Sequence, residues 1–497
     1  MKLGFGTLIS VTNPINEAMA LTNNPIVVDL DGTLIYADML HETALSALIR
    51  APLMALKAPF MLAKGKAFLK QQLNQKAEFA ADLLPYNQDL LAWLKEQRLA
   101  GHSLVLCTAS DQAIADQIAE HLGIFDDVMA SNGVLNLAGN AKAEALVQRF
   151  GEAGYDYVGN STADLPVWAH ARQAIIVNAS TALIQQARKI SSVEIIFPRR
   201  QSSLSAWPKM LRVHQWLKNL LLFIPLLAAH DLTNKNDWLS LILAFFAFSF
   251  CASSVYICND LLDLKSDRIH PRKRKRPFAS GLVPLWHGVL LAPLFLVVSL
   301  IIAGLAGKLF LLCLVVYFIL TCAYSGGLKR LVLIDCLVLA LLYTLRIIAG
   351  AADVHMSLSV WILAFSIFLF LSLSFVKRYA ELEIQILSGK GKLHGRGYHT
   401  TDAPLIQTMG IASGYASALV FSLYLNSNAV IKLYAEPEFI WAAVPVLVFW
   451  ISWMWMQAHR GKMHDDPLVF AVKDRVSLAV GVVFAAIFVV GAIGVTW

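Results

Sequence analysis

Hydrophobic and polar residues are distributed unevenly along this chain. Up to about residue 206 the apolar runs are short, as in a soluble domain, whereas from about Leu211 onward long apolar runs alternate with short polar loops. These runs have the length of roughly 18 to 22 residues that a helix needs to cross a bilayer. Nine spans are predicted, at about 215–232, 238–258, 284–304, 307–324, 331–351, 358–376, 405–426, 438–457 and 477–496. The pattern therefore predicts a soluble N-terminal domain followed by an all-α polytopic membrane domain with nine transmembrane helices.

Three short apolar stretches in the N-terminal part are typical of buried strands. They lie at 25–28, 104–107 and 155–158, and helical segments alternate with them, which predicts an α/β domain with a parallel sheet. A polar cluster follows each strand directly: Asp29–Leu34, Thr108–Asp111 and Gly159–Asp164. Open α/β sheets place their sites beyond the carboxyl ends of the strands, so we expect these clusters to form one site.

Two further segments define the domain organisation. Residues 38–95, between the first two polar clusters, are apolar-rich and helical in pattern, which predicts a helical cap that selects substrate and excludes water. The segment 198–208, with two prolines at its ends and serines between them, predicts a linker. We therefore expect one domain at 1–197 and a second at 209–497.

An acidic run from Asn259 to Asp267 begins where the second predicted span ends. Asp260, Asp263 and Asp267 are spaced i, i+3 and i+7, so on a helix they share one face. Three carboxylates at a membrane boundary repel each other unless a cation lies between them, and Mg²⁺ holding a substrate diphosphate is the natural candidate. A solvated helix end just outside the bilayer is the alternative explanation for this run taken alone.

The charge distribution follows the membrane pattern. Of the 497 residues, 57% are hydrophobic and 15% are charged, and the formal net charge is +7. Basic residues concentrate in the loops 259–283, 325–330, 377–404 and 458–476. The positive-inside rule then places these loops and the N-terminal domain in the cytoplasm, in a bacterial cytoplasmic (inner) membrane protein. Anionic lipid headgroups or phosphorylated substrates are the expected partners and nucleic acid is not, because these basic residues are interleaved with acids at membrane ends.

Other features narrow the class of protein. Met1–Ala20 has no adequate apolar core and no clear cleavage site, so no signal peptide is predicted. The six cysteines lack metal-binding spacing, which indicates small buried hydrophobes in a reducing compartment. Asp335 and Arg346 lie inside an apolar run, where ionisable groups are costly unless paired or functional; a structural interhelical pair is an alternative for Arg346. The oligomeric state, monomer or homo-oligomer, stays open.

The membrane half resembles the UbiA superfamily of intramembrane prenyltransferases over about 210–497. The resemblance rests on the nine spans, the Asn-Asp-x-x-Asp-x-x-x-Asp run, and the basic segment His270–Pro277 behind it. Most members have a second acidic motif, Asp-x-x-x-Asp, but here Asp335 has no acidic partner at 339. The chain instead resembles the decaprenyl-phosphate phosphoribosyltransferase branch at Arg212–Asn219, Tyr324–Lys329, Leu345–Arg346 and Lys377–Glu381.

This resemblance implies Mg²⁺-dependent transfer of 5-phosphoribose from phosphoribosyl diphosphate to a polyprenyl phosphate. Asp260 and Asp263 would bind the metal on the diphosphate, assisted by Asn259 and Asp267. The implied substrate-binding residues are cations and nearby polar groups: Arg212, Gln215, Lys218, Asn259, Tyr324, Lys329, Asp335, Arg346, Lys377 and Arg378. The lipid phosphate would be held by Arg212 and Lys218. Phosphate oxygens would be neutralised by Lys329, Lys377 and Arg378. The ribose would be contacted by Asp335.

The soluble half resembles the haloacid dehalogenase (HAD) superfamily over about 24–196, as a Rossmann-like α/β domain with a helical cap. The resemblance implies that Asp29 is a nucleophile forming an aspartyl-phosphate and that Asp31 is the general acid/base. Phosphate would be bound by Thr108 and Lys142, and Mg²⁺ by Asp29, Asp31, Asn160 and Asp164. The family usually has Asp at position 160, and the amide removes one negative charge, so a degenerate domain is the alternative to an active phosphatase.

Together the two halves predict a two-step enzyme that makes a precursor for cell-wall glycan. The membrane domain would make polyprenyl-phosphoryl-ribose 5-phosphate, and the soluble domain would remove the 5-phosphate. Three alternatives remain: a prenyltransferase acting on an aromatic acceptor, an ion pump in which a HAD-like domain drives transport, and a lipid-binding scaffold with two inactive sites. The ion pump is disfavoured because here the HAD-like domain precedes every span instead of lying between spans.

Overall fold

A computed structural model describes residues 24–132, 134–200, 205–229, 233–389, 391–393, 395–431, 433–463 and 466–493. Met1–Ala20, where no signal peptide is predicted, lies outside the described residues, as does part of the predicted linker 198–208. The chain forms two compact units. The first contains Met1–Met210 and Asp260–Leu290, and the second contains Leu211–Asn259 and Leu291–Trp497.

The first unit contains a six-stranded, wholly parallel sheet in the order β3-β2-β1-β4-β5-β6. The strands are β1 Ile26–Val28, β2 Leu104–Asp111, β3 Asp127–Ser131, β4 Asp156–Gly159, β5 Gln173–Val177 and β6 Val193–Phe197. The three strands predicted from the sequence are confirmed as β1, β2 and β4. They are neighbours at the centre of the sheet, so the polar clusters that follow them lie side by side.

Both faces of the sheet are covered, as expected for a parallel sheet. Ile26 and Val28 belong to one hydrophobic cluster with Leu90, and Val27, which points to the opposite face, belongs to a second cluster with Trp168. All of these side chains are buried. The continuous apolar run of β1 is therefore explained by burial on both of its faces.

Helices surround this sheet and form the predicted cap region. The α-helices of the first unit are Met39–Arg50, Met54–Ala63, Lys66–Asn74, Gln88–Leu99, Gln112–Leu122, Asn140–Phe150, Leu165–His170, Thr181–Ile190, Ala206–Met210 and Leu264–Ile269. Short 3₁₀ helices lie at Ala81–Leu83, Thr162–Asp164 and Lys273–Lys275. Asp38 starts the first of the cap helices, because its carboxylate accepts hydrogen bonds from the backbone N–H groups of Leu40 (2.8 Å) and His41 (3.3 Å).

The named elements of the second unit are all helices among its described residues. Eight helices in the described part of the chain are long and apolar enough to cross a membrane: Lys235–Leu262, Leu285–Ala306, Lys308–Gly326, Ile334–Asp353, Val360–Leu387, Thr400–Leu425, Phe439–His459 and Arg475–Ile493. The sixth and seventh of these helices each begin with a 3₁₀ turn, at Thr400–Asp402 and Phe439–Ala442. Their α-helical parts are Ala403–Leu425 and Ala443–His459. Shorter elements lie at Leu328–Arg330, Asn428–Ile431 and Pro467–Lys473.

The second to ninth predicted spans correspond to these eight helices. The first, predicted at 215–232, is a 3₁₀ helix at Val213–Phe223 followed by a short α-helix at Ile224–Ala228. Lys218 and Asn219 in this segment are buried and bonded to other parts of the second unit. A hydropathy pattern reflects how many apolar residues a segment has, but not where its polar side chains find partners inside the protein. The predicted length of regular α-helix was therefore too long for this segment.

Candidate functional site

An acid–base pair of side chains lies at the carboxyl ends of the central strands. Asp29 directly follows β1, and its Oδ1 lies 2.7 Å from Nζ of Lys142, with both side chains almost fully buried. The Lys142 ammonium also donates to the carbonyl oxygen of Cys107 (3.1 Å) and to the hydroxyl of Tyr157 (2.9 Å). Burial would lower the pKa of Lys142, but Asp29 outweighs it and the pKa is raised, so this amine stays charged. Lys142 is therefore fixed as a cation against the predicted nucleophile.

Asp31 occupies a different environment two residues further on. Its Oδ1 accepts from the backbone N–H of Met39 (2.8 Å) and its Oδ2 from Oγ of Ser110 (2.8 Å). Burial, followed by the charges of Asp38 and Asp29, raises the pKa of Asp31 to about 7. Burial also raises the pKa of Asp29 to about 6, although Lys142 opposes that rise. A carboxyl group with a pKa near neutrality suits a general acid/base, because it can both donate and accept a proton at the working pH.

Asp164 and Asn160 form the edge of the site that follows β4. Oδ2 of Asp164 accepts from the backbone N–H groups of Asn160 (3.0 Å) and Ser161 (2.9 Å), and its Oδ1 accepts from the Tyr157 hydroxyl (2.9 Å). Asp164 therefore holds the loop that carries Asn160. The amide of Asn160 lies directly against Gly32, where a Cβ atom would be only 2.2 Å from the Asn160 Nδ2 atom, and Gly32 has a positive φ of 74°. Glycine is needed there for both reasons.

The oxygen ligands at this edge suit Mg²⁺ by their chemistry. Asp29 uses one oxygen for Lys142 and accepts from Thr33 at 3.3 Å with the other, which leaves lone pairs on both oxygens. Asp29, Asn160 and Asp164 together offer carboxylate and amide oxygens, which this hard cation prefers. In the described part of the chain no three His, Cys, Asp or Glu side chains already converge as a metal cluster. The residues thus fit the metal as donors, with Asn160 supplying a neutral ligand.

A cavity of about 480 Å³ opens over this group of residues. Its wall includes Ser110, which the sequence interpretation did not assign, whereas the predicted phosphate ligand Thr108 is fully buried and turns its Oγ1 to the backbone N–H of Ser110 (3.0 Å). Lys70 reaches the cavity from the cap helix Lys66–Asn74 and donates to the carbonyl oxygen of Ala109 (2.6 Å). An apolar part of the wall comes from the 260–290 segment: Phe278, Val283, Leu285 and Trp286.

The acidic run of the same unit is not one continuous helix. The helix Lys235–Leu262 ends before Asp263, and a new helix begins at Leu264, so the prediction that the three aspartates share one helical face was wrong. Asp263 lies at the break with φ −89° and ψ 7° and makes no side-chain capping bond. The break lets the chain turn, and hydrophobic periodicity over so few residues cannot reveal such a turn.

Asp260 and Asp267 nevertheless converge, on a cation that belongs to the chain. Nη1 of Arg276 lies 3.0 Å from Oδ1 of Asp260 and 2.6 Å from Oδ2 of Asp267. The other oxygen of Asp267 is buried, makes no hydrogen bond to any residue that the structure describes, and lies 3.9 Å from Nζ of Lys273. This orphaned oxygen and its neighbouring carboxylates fit a divalent cation by their chemistry. The interpretation of the run as a metal site stays a prediction. Arg276, in the basic segment His270–Pro277, was not assigned a role from the sequence.

In the second unit, two predicted cations converge on Asp466. Its Oδ2 lies 2.7 Å from Nζ of Lys218 and 3.3 Å from Nζ of Lys377, and both of its oxygens accept from the Tyr343 hydroxyl at 3.1 Å. Burial would raise the pKa of Asp466, but Lys218 and Lys377 outweigh it and hold that pKa well below its usual range. Two lysines around one carboxylate leave a net positive charge, which suits an anionic ligand.

A second buried cluster surrounds Asp335. This carboxylate accepts a hydrogen bond from the Tyr398 hydroxyl at 2.5 Å. It also forms ion pairs with two arginines, at 2.7 Å from Nη2 of Arg378 and 3.4 Å from Nη1 of Arg396. Arg378 also pairs with Glu381, and the Asp335 and Arg378 side chains have no exposed surface. Protein groups thus occupy the Asp335 carboxylate, which favours a structural role for Asp335 over contact with ribose. The Nε and Nη2 atoms of Arg378 are buried and have no hydrogen-bond partner among the described residues.

The environment of Arg346 is also closed by protein groups. It donates to Oδ1 of Asn219 (2.8 Å), to the Tyr317 hydroxyl (3.0 Å) and to the carbonyl oxygen of Leu342 (2.5 Å), and it is buried. A guanidinium with these three partners bridges helices within the membrane unit.

The other predicted residues are less constrained. The guanidinium of Arg212 lies 4.6 Å above the ring of Tyr256. The Tyr324 hydroxyl accepts a hydrogen bond from Arg396 (3.0 Å). Asn259 donates to Oγ of Ser325 (2.9 Å). Gln215, in the 3₁₀ helix Val213–Phe223, and Lys329, in Leu328–Arg330, are half-buried.

Comparison with known proteins gives the family. A model of the UbiA prenyltransferase family matches residues 220–474, which is about half of the chain. The chain belongs to the UbiA prenyltransferase family. A haloacid dehalogenase-like hydrolase model matches residues 26–168, so this UbiA-family protein carries an N-terminal HAD-like domain. With its long apolar helices, it is an integral membrane protein.

Similar proteins cover one or both parts of the chain. The uncharacterized protein y4nM of Sinorhizobium fredii is 36% identical over 94% of this chain and 90% of its own length. Nodulation protein NoeC of Azorhizobium caulinodans is 37% identical over 55% of this chain and 91% of its own. Decaprenyl-phosphate phosphoribosyltransferase of Mycolicibacterium smegmatis is 32% identical over 54% of this chain and 86% of its own. A solved UbiA homolog from Archaeoglobus fulgidus bound to GPP and Mg²⁺ has 17% identity and a TM-score of 0.43, over 57% of this chain and 98% of that one.

Proposed function

We propose that the membrane domain transfers 5-phosphoribose from phosphoribosyl diphosphate to a polyprenyl phosphate, with Mg²⁺, and that the HAD-like domain removes the 5-phosphate. The transferase half rests chiefly on the similarity to the decaprenyl-phosphate phosphoribosyltransferase of M. smegmatis over 86% of that protein. In the transfer, a lipid phosphate oxygen bonds to the anomeric carbon as the bond from that carbon to diphosphate oxygen breaks. Diphosphate leaves with the electron pair.

The acidic run is the expected diphosphate site. Asp260 and Asp267 are almost fully buried and already gather around a cation, Arg276. Metal bound to such carboxylates supplies charge neutralisation for the departing diphosphate. Lys218 and Lys377, with their shared partner Asp466, are the cations that we assign to phosphate groups of the substrates. Lys329 and Arg212 remain candidates for the same role.

The phosphatase half rests on the arrangement of Asp29, Lys142 and Asp31. In the proposed reaction, an Asp29 oxygen bonds to phosphorus and the bond to the sugar oxygen breaks, while Asp31 gives its proton to that leaving oxygen. Asp31 then takes a proton from the water that hydrolyses the aspartyl-phosphate. Lys142 neutralises the charge that accumulates around Asp29, from which it lies 2.7 Å.

A lipid-product assay tests both halves. The purified full-length protein is supplied with Mg²⁺, ribose-labelled phosphoribosyl diphosphate and a polyprenyl phosphate, and labelled lipids are separated by phosphate count. We expect the wild type to give the lipid without the 5-phosphate, Asp29→Asn to give the lipid that retains it, and Asp260→Asn to give no labelled lipid. Asp116→Asn, at an exposed aspartate outside both sites, is the matched control and should behave as the wild type.

Each half can fail separately. If Asp29→Asn and the wild type give the same phosphorylated lipid, the HAD-like domain does not act on this product. If no lipid is labelled while the same preparation transfers a prenyl group from a prenyl diphosphate to an aromatic acceptor, the phosphoribosyl assignment is wrong and the alternative prenyltransferase function holds.

A further inference from the structure

A second cavity of about 350 Å³ lies beside the cavity over Asp29 in the first unit. The two cavities share four lining residues: Tyr36, Gly281, Val283 and Pro284. The proposed function does not use the second cavity. The shared lining residues show that the two cavities are adjacent.

The shared wall is tightly built. Gly281 has a positive φ of 71°, and a Cβ atom there would lie 2.5 Å from the carbonyl oxygen of Tyr36. Only glycine lets the chain approach Tyr36 this closely. The guanidinium of Arg200 then lies 4.7 Å above the Tyr36 ring and donates through Nη1 to the carbonyl oxygen of Ser280 (2.8 Å). The position of Arg200 at the wall is thus fixed by two independent contacts.

The lining of the second cavity is basic and aromatic. Arg199, Arg200 and His287 line it, and none of its described lining residues is acidic. Arg200 uses one of its five N–H donors on Ser280, and Arg199 is exposed at the rim. The Nδ1 atom of His287 is buried and has no hydrogen-bond partner among the described residues. Its ring meets that of Trp207 edge-on at 5.4 Å, and Trp207 is 39% exposed.

The first cavity has the opposite character. Asp29, Asp31, Asp38, Glu42 and Asp164 line it together with two lysines, Lys70 and Lys142. The acidic side chains outnumber the lysines, which suits a metal-assisted attack on one phosphate monoester and disfavours a second anion in the same cavity. A substrate with two phosphate groups would therefore place them in different cavities. The acid-lined cavity would take the group that reacts, and the arginine-lined cavity would take the group that stays.

We propose that the second cavity binds the phosphodiester of a lipid-linked sugar phosphate whose terminal monoester lies over Asp29. This inference rests on the proposed phosphatase function and specifies how its substrate is recognised. Arg200 and Arg199 donate to the diester oxygens, because the guanidinium fork matches two oxygens of a phosphate group. Trp207 packs against the first apolar atoms beyond the diester. The site selects a sugar phosphate that already carries a second, substituted phosphate.

Three substrates separate recognition of the diester from recognition of the lipid. They are ribose 5-phosphate, which has no diester; methyl-phosphoryl-ribose 5-phosphate, a soluble diester; and polyprenyl-phosphoryl-ribose 5-phosphate. In full-length protein, Arg199→Gln and Arg200→Gln should each lower kcat/KM for both diester substrates by roughly 10-fold to 150-fold, the usual effect of losing a hydrogen bond to a charged group. Hydrolysis of ribose 5-phosphate should not change. Arg188→Gln, at an exposed arginine on the helix Thr181–Ile190, is the matched control.

Binding without turnover distinguishes failure of this inference from failure of the phosphatase assignment. Methyl-phosphoryl-ribose is titrated into the Asp29→Asn protein with and without Arg199→Gln, and the affinity should fall tenfold or more in the double variant. If the wild type hydrolyses none of the three substrates but this loss of affinity is found, only the phosphatase assignment fails. Affinity that does not depend on Arg199, equal losses on all three substrates, or a loss confined to the polyprenyl substrate would each overturn the diester site.

Discussion

Removal of the Arg276 cation should tighten metal binding at the acidic run while it weakens the transferase. One nitrogen of Arg276 contacts Asp260 at 3.0 Å and Asp267 at 2.6 Å, so these two carboxylate oxygens are at most 5.6 Å apart. Both aspartate side chains are nearly inaccessible to water, with 3% and 1% exposure. In Arg276→Gln the two charges face each other without a cation, and a divalent ion has no guanidinium to displace.

The size of the effect follows from that separation. With an effective dielectric constant of about 20, two unit charges 5.6 Å apart repel by about 3 kcal/mol, which a bound divalent ion relieves. The corresponding gain in metal affinity without substrate is roughly a hundredfold. The transferase should nevertheless lose kcat/KM for phosphoribosyl diphosphate, because we expect Arg276 to turn from the carboxylates to the diphosphate when substrate binds.

Manganese titration followed by electron paramagnetic resonance measures the affinity directly, on full-length protein in nanodiscs without substrate. Arg274→Gln is the matched control, because Arg274 is an exposed arginine two residues away that makes no ion pair with the acidic run in the described structure. The HAD-like site contributes equally to both variants. Unchanged or weaker manganese binding in Arg276→Gln would refute the reasoning, since the guanidinium would then not be competing with metal.

Other perturbations test the remaining contacts. Burial raises the pKa of Asp29 to about 6, and Lys142 opposes that rise. In Lys142→Met the pKa of Asp29 should therefore rise further, and the acid limb of the phosphatase pH profile should move to higher pH. Lys142→Arg keeps the cation and should return the acid limb most of the way to its wild-type position. Asn160→Asp adds a negative charge to the metal ligands and should lower the Mg²⁺ concentration for half-maximal phosphatase activity several-fold, whereas an unchanged Mg²⁺ dependence would remove Asn160 from the ligand set. Glu42 and Arg268 form a buried ion pair, so Arg268→Met alone should cost about 3–5 kcal/mol of unfolding free energy in chemical denaturation. The double variant with Glu42→Gln should recover much of that loss, and additive losses would argue against direct coupling.

Much of the architecture was readable from the sequence. The fold class is confirmed because both signals are local: apolar runs of membrane-spanning length, and short buried strands that end in polar clusters. Parallel strands gather their carboxyl ends at one edge, so the positions of Asp29 and Asp31 after β1 and of Asn160 after β4 already indicated a shared site. Lys142 was found only through the family resemblance, because it lies on a helix far along the chain.

The tertiary structure alone decided which charges meet. Asp466 and Lys218 are 248 residues apart, and Glu42 and Arg268 are 226 apart, so no local pattern could pair them. The break of the helix at Asp263 is equally invisible to periodicity, and so is the meeting of Asp260 and Asp267 at Arg276. A sequence specifies which segments must be buried through its local pattern of hydrophobicity. The partners of buried charges depend on how those segments pack, because each charge pairs with whichever opposite charge packing brings within a few ångströms.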